Sequence, residues 1–191
     1  MKTETIDNIL EIGTELILKN GYNNVGLNKI LQAANIPKGS FYYYFKNKED
    51  FGIQVIKHYS EKSLTFLNSY LNDTSRNPKQ RIVHFFEDMQ NTYTDKDYRE
   101  GCLLGNCSLE LSDVSFAFSS SVANELNRWQ DSFVKCIQEG QDLGYIKTEE
   151  SAIVLSDFVL TSWEGALLRM KSSKTSNSIT NFINYLNKYL L

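Results

Sequence analysis

Between Leu27 and Lys48 the chain reads LNKILQAANIPKGSFYYYFKNK, a spacing that admits little besides two short helices about a tight turn. Leu27, Ile30, Leu31 and Ala34 recur at helical intervals and predict a short amphipathic helix over 27–34. Asn35 follows where a left-handed residue commonly ends a helix, and asparagine tolerates that conformation better than most. Pro37 is expected at the first position of the next helix, where its missing N–H costs nothing. Phe41 and Phe45, four apart, share one face and are expected inside, with Ser40, Tyr42, Tyr43 and Tyr44 covering the other faces. So short a helix cannot bury every face, so the tyrosine run is not explained by core packing alone. Two helices joined by such a turn form a helix-turn-helix, whose second helix enters the major groove of DNA. Phenol hydroxyls donate to phosphate oxygens, and the rings pack on sugars or thymine methyls. Gly39 has no side chain, which lets the start of that helix approach DNA closely.

Charge distribution agrees. The chain of 191 residues carries a formal net charge of −3, which taken whole argues weakly against nucleic acid. From Lys19 through Lys48, however, there are five lysines (19, 29, 38, 46 and 48) and no Asp or Glu. A local basic surface sets the footprint on DNA, while the acidic remainder points away from it. The expected contacts are Asn28, Lys38, Gly39, Ser40, Tyr42, Tyr43, Tyr44 and Lys48, the last at a helix start whose dipole already favours a phosphate.

The segment from Pro37 to Asp50, PKGSFYYYFKNKED, resembles the recognition helix and following turn of the TetR family of transcriptional repressors. That family's pattern there is a small or basic residue, Gly, Ser or Thr, an apolar residue, Tyr, an aromatic, His or Tyr, Phe, then a lysine-rich turn and an acid. Three positions depart from it. Gly26 stands where the family usually opens the first helix of the motif with Thr or Ser, Asn35 replaces a glycine of the turn, and Tyr44 replaces a common histidine. The resemblance implies an all-α fold of about nine helices. An N-terminal three-helix helix-turn-helix DNA-binding domain (1–47) would lead through a connecting helix (48–71) to a C-terminal helical ligand-binding and dimerisation domain (72–191). It implies a homodimer on a palindromic double-stranded operator, released by a small apolar or electrophilic effector.

The rest of the chain fits an all-helical reading, since no stretch alternates apolar and polar residues as a strand does. Helices are expected from Ile6 to a cap at Asn20-Gly21, from about Asn47 to Leu71, over Arg81–Tyr93, Cys102–Leu111, Phe116 to about Leu143, Glu149–Met170 and Asn177–Leu191. Apolar residues cover more of the circumference of 151–170 than one core-facing stripe requires, so that helix needs a second neighbour. Together with the final helix it is expected to pair with a second copy through Phe158, Leu167, Ile179, Phe182, Ile183 and Leu186, the alternative being a buried central helix in a monomer. Phe85, Met89, Tyr93, Cys102, Phe116, Trp129, Phe133, Phe158 and Trp163 are candidates to line an effector pocket. Each taken alone is more readily read as a core residue.

Three cysteines, an odd count, point to a reduced cytoplasmic protein rather than a disulfide scaffold. Glu100-Gly101-Cys102-Leu103-Leu104-Gly105-Asn106-Cys107 resembles a segment of the TetR branch that senses electrophiles and reactive chlorine, with Cys102 at the reactive position. A buried inert thiol is the competing reading, and Cys107 and Cys136 are expected in the core. The two histidines, His58 and His84, make no metal-site spacing with the cysteines, so neither a metal nor a cofactor is expected. No apolar stretch is long enough to span a membrane, and the N-terminus lacks the pattern of a signal peptide. An enzyme or plain helical carrier finds little support: Glu110, Asp113 and Glu164 are single acids without a nucleophile–base partner or phosphate loop.

Overall fold

The computed structural model describes residues 2–191. Among them are nine α-helices and one short π-helical turn, and no strand. They are α1 (Lys2–Asn20), α2 (Leu27–Ala33), α3 (Lys38–Tyr44), α4 (Lys48–Leu71), α5 (Pro78–Asp95), α6 (Leu103–Leu111), α7 (Phe116–Asp142), α8 (Ala152–Ser173) and α9 (Asn177–Tyr185), with the π turn over Leu186–Leu190.

Helix ends follow local chemistry. Gly21 closes α1 with φ +80°, and Asn35 leaves α2 with φ +49°, the left-handed conformation its sequence position calls for. Pro37 is the N-cap of α3 (φ −70°, ψ 154°) rather than its first helical residue, one position off the expectation. Helix α5 starts three residues before the expected Arg81, because Pro78 takes the first position and Asn77 forms a capping box with Gln80. Gly144, with φ +74°, follows the end of α7. At the C-terminus the expected single helix over 177–191 changes pitch after Tyr185.

The chain divides into two compact units, each built from two stretches of sequence. One comprises residues 1–62 and 102–126, the other 63–101 and 127–191. The long helices α4 and α7 run from one unit into the other, and α6 belongs with the N-terminal helices. In the first unit Ile9, Ile17, Val25, Ile30, Phe41, Phe45, Phe51 and Val55 form the core. In the second, Ile82, Phe86, Phe133, Val159, Met170, Ile179 and Leu186 are fully or nearly buried.

Candidate nucleic-acid interface

The recognition helix α3 is seated by aromatic packing. Phe41 and Phe45 are each 1% exposed; their ring centroids lie 5.0 Å apart and 5.5 and 5.0 Å from that of Phe51 on α4. Burial of three phenyl rings fixes the rotation of a helix too short to hold itself, since a seven-residue segment is far below the length stable alone. The opposite side is left to solvent: Tyr42 is 52% and Tyr43 67% exposed. Tyr44 is half-buried, its ring edge-on to Tyr43 at 5.0 Å. Lys38 and Gly39 are exposed, and a Cβ added at Gly39 would meet nothing within 4 Å. Asn28 is exposed on α2, whose N-cap Gly26 offers no side-chain cap.

The step from α3 into α4 is fixed by two bonds to Asp50. Its N–H donates to Asn47 Oδ1 at 2.8 Å, and its Oδ2 accepts from Lys46 N–H at 2.9 Å. Asn47 thus caps α4 through its side chain, and the acid that ends the recognition motif ties down the amide of the residue before that cap, a signal readable in Asn47-x-x-Asp50.

Lys48, expected at a phosphate, is half-buried: its ammonium donates to the Tyr22 carbonyl at 2.9 Å and lies 4.2 Å from the Tyr22 ring centroid. Burial lowers its pKa, with the Glu110 charge opposing. The physical cause is the side chain's length, which lets it reach back to a buried carbonyl nearby.

The expected effector set divides. Phe85, Tyr93, Phe133 and Trp163 belong to a continuous aromatic cluster whose hub, Phe86, the sequence reading left out. Phe86 stacks on Phe133 (5.6 Å, 2°) and meets Trp163 and Phe182 at 4.9 Å each. Phe85 reaches Phe133 at 6.1 Å, and Tyr93 reaches Trp163 at 6.2 Å. Trp129 is buried and Met89 half-buried in the same unit. Phe116 is 88% exposed and, like Cys102, belongs to the other unit; Phe158 is 50% exposed on α8. Neither phenylalanine joins the cluster. An open cavity of about 530 Å³, lined by Arg76, Lys79, His84, Glu87, Tyr145 and Asn187 among others, shares no residue with the expected set.

The expected dimer contacts are corrected as well. Leu167, Ile179, Phe182, Ile183 and Leu186 are at most 9% exposed and form the core of their unit, leaving Phe158 alone of the six at the surface. The apolar side chains that α8 exposes are Ile153, Val154, Phe158 and Leu168. A helix apolar on most sides does not announce which side its own unit will cover.

No disulfide joins Cys102, Cys107 or Cys136, and all three are buried. Cys102 is the N-cap of α6 and 3% exposed. Burial pushes the thiols of Cys107 and Cys136 up to about 12, with the Glu110 charge adding to the first. Among the described residues no group of three or more His, Cys, Asp or Glu could hold a metal ion, and no helix is long and apolar enough to cross a membrane.

A three-helix head with a buried phenylalanine pair and an exposed tyrosine pair on its third helix is the architecture of a helix-turn-helix DNA-binding protein. Comparison with known proteins agrees. Residues 9–53 match the model of bacterial regulatory proteins of the tetR family, and residues 78–186 that of the tetracyclin repressor-like C-terminal domain. The HTH-type transcriptional repressor DhaR of Mycobacterium sp. (strain GP1) is 34% identical over 190 residues, covering 100% of this chain and 94% of that protein. The crystal structure of regulatory protein TetR from Rhodobacter sphaeroides superposes with a TM-score of 0.89 at 29% identity, over 96% of this chain and 97% of that one. The HTH-type transcriptional repressor NemR of Escherichia coli (strain K12) is 25% identical over 178 residues, 93% of this chain and 89% of its own. A crystal structure of E. coli NemR in its reduced form has the same fold, with a TM-score of 0.93 at 24% identity over 98% and 97% of the two chains. The chain belongs to the TetR family of transcriptional regulators.

Proposed function

We propose that the protein is a cytoplasmic homodimeric repressor that binds a palindromic operator and is released by a small apolar or electrophilic molecule. The observation that carries this reading is the arrangement of α3: Phe41 and Phe45 buried, with Tyr42 and Tyr43 exposed on a helix flanked by Lys38 and Lys46. Lys38, Ser40, Tyr42, Tyr43 and Tyr44 contact one half-site, with Asn28 approaching from α2. Two heads must match successive major-groove faces about 34–36 Å apart, so a modest change in their separation abolishes binding. The effector enters the aromatic cluster around Phe86 by displacing rings that now touch one another. Pairing of the copies is supported by α8, where Val154, Phe158, Thr161, Gly165, Leu168 and Ser172 form an exposed stripe spaced alternately by four and three residues.

The test is a mobility shift of purified protein on its own promoter DNA across a salt series. A footprinted palindrome, with affinity falling steeply as salt rises, is the expected result. Absence of specific binding to any promoter fragment, with or without added ligands, would refute it.

A second reading makes Cys102 the input. It is favoured by the thiol's place as N-cap of α6, where the helix dipole stabilises a thiolate once the site opens. Treating a Cys102→Ser variant with N-ethylmaleimide separates the two: release from operator persists if the input is reversible binding and is lost if it is the thiol.

A further inference from the structure

The turn between α1 and α2 is gripped from three other helices of its own unit. On α6, Glu110 accepts the Tyr22 N–H on Oε2 at 2.9 Å and the Asn23 N–H on Oε1 at 2.6 Å. From the start of α4, Lys48 donates to the Tyr22 carbonyl at 2.9 Å. The Tyr22 ring meets Phe118 of α7 edge-on at 4.9 Å. Gly52 leaves the ring its place, because a Cβ there would stand 2.5 Å from Tyr22 Cε2 and 2.7 Å from Phe118 Cζ. Carboxylate and ammonium thus hold the N–H and C=O ends of one residue, right after the chain reverses at Gly21 with φ +80°.

Neither a solvated acid nor simple backbone satisfaction accounts for Glu110. Its two oxygens are both committed, to consecutive amides 88 and 87 residues away in sequence. The Asn23 N–H lies at an exposed turn where water would satisfy it equally well. What the carboxylate adds is position. Gly26 caps α2 without a side-chain bond, and the local ties in this turn are the Val25 N–H donating to Tyr22 O at 3.2 Å and the Asn24 Nδ2 donating to Asn20 O at 3.0 Å, neither of which joins the turn to another helix packed on it.

We propose that Glu110 is a positioning residue for operator binding: by clamping the Tyr22 and Asn23 amides it holds the α1–α2 turn on α6 and so sets the direction of α2 and the recognition helix. The inference rests on the operator-binding reading above. Glu110 touches no DNA in this scheme, which separates it from the tyrosines.

The test compares full-length wild type with Glu110→Gln on the promoter fragment across a salt series, together with amide hydrogen exchange at Tyr22 and Asn23. Glutamine keeps one acceptor and turns an NH2 toward the second amide. Faster exchange at these amides and a loss of operator affinity on the order of tenfold are expected, with the slope of affinity against salt unchanged because every phosphate contact survives. Glu110→Asp, which keeps the charge one methylene short, gives the same readout if Glu110→Gln does not fold. Affinity within about twofold of wild type while the amides exchange freely would overturn the proposal. So would lost affinity with the amides still protected, or a changed salt slope. Wild type failing to bind any promoter would overturn the operator reading and this inference with it, and is distinguished by wild type and variant behaving alike at non-specific background.

Discussion

Replacing Arg81 by methionine perturbs a connection whose strength the structure sets directly. Arg81, in the first turn of α5, is 6% exposed. Its Nε donates to the carbonyls of Asp73 and Arg76 at 2.9 Å each, and one terminal nitrogen donates to Leu71 O at 3.2 Å and Glu139 Oε2 at 2.8 Å. Leu71 is the last residue of α4, so the guanidinium takes a carbonyl that has no partner within its own helix and ties the α4–α5 connection beneath it. Methionine fills similar volume and donates nothing. A buried carbonyl left unmet costs about 1–3 kcal/mol, and water reaches the Asp73 and Arg76 carbonyls more readily than that of Leu71, so the sum is about 3 kcal/mol. The ion pair adds little, because the Glu139 side chain is 43% exposed and the surrounding water screens it. Glu139→Gln is therefore expected to cost under about 1 kcal/mol, whereas a pair buried at both ends would lose about 3–5 kcal/mol. In a chain of this size each kcal/mol moves the midpoint by about 2–4 °C, so Arg81→Met should melt about 6–12 °C early. Thermal melts followed by circular dichroism at fixed protein concentration read both variants. Arg81→Met within about 2 °C of wild type would refute the carbonyl argument, as would a Glu139→Gln loss equal to that of Arg81→Met.

Tyr42→Ala removes an exposed ring and should lower operator affinity by about tenfold while moving the melting midpoint by less than about 2 °C; a comparable loss of stability would mean the ring is core. Phe86→Ala opens a hole at the centre of four neighbouring rings and should cost about 3–5 kcal/mol in urea unfolding, against under about 1 kcal/mol for alanine at exposed Tyr185. The buried thiols make stability depend on alkali. Cys107 and Cys136 hold their protons to about 12, whereas an unfolded chain releases them from an ordinary value of 9.0, and Tyr22 is likewise raised from 10.0 to about 12. Above 9 the unfolded state therefore binds fewer protons than the folded one, so stability falls as pH climbs toward 12 and is unaffected by these groups below 8. Urea midpoints at pH 8, 9 and 10 check the sign, and a flat or rising profile would contradict it.

Much of the head is determined within a few residues of sequence. Asn35 must take a left-handed conformation to end α2, Pro37 cannot continue a helix from before it, and Phe41 and Phe45 fall on one face whatever surrounds them. These are local consequences of backbone sterics and helical period, so the sequence alone determined the helix-turn-helix, the all-helical class and the exposure of Tyr42 and Tyr43. Other features depended on partners far away along the chain. In sequence Glu110 is a single acid without a nucleophile–base partner, and its two amides lie 88 and 87 residues off. The bond from Lys48 to the Tyr22 carbonyl, 26 residues back, has no signature in the sequence around either residue. The capping signals Asn77-x-x-Gln80 and Asn47-x-x-Asp50 were legible and give the true starts of α5 and α4. The face of α8 was not legible, since leucines and valines on every side satisfy either a core or a partner. Only packing, chiefly against α9, assigned Leu167 to the interior and left Val154, Phe158 and Leu168 outside, because burial is a property of the assembled chain and periodicity fixes only which residues share a side.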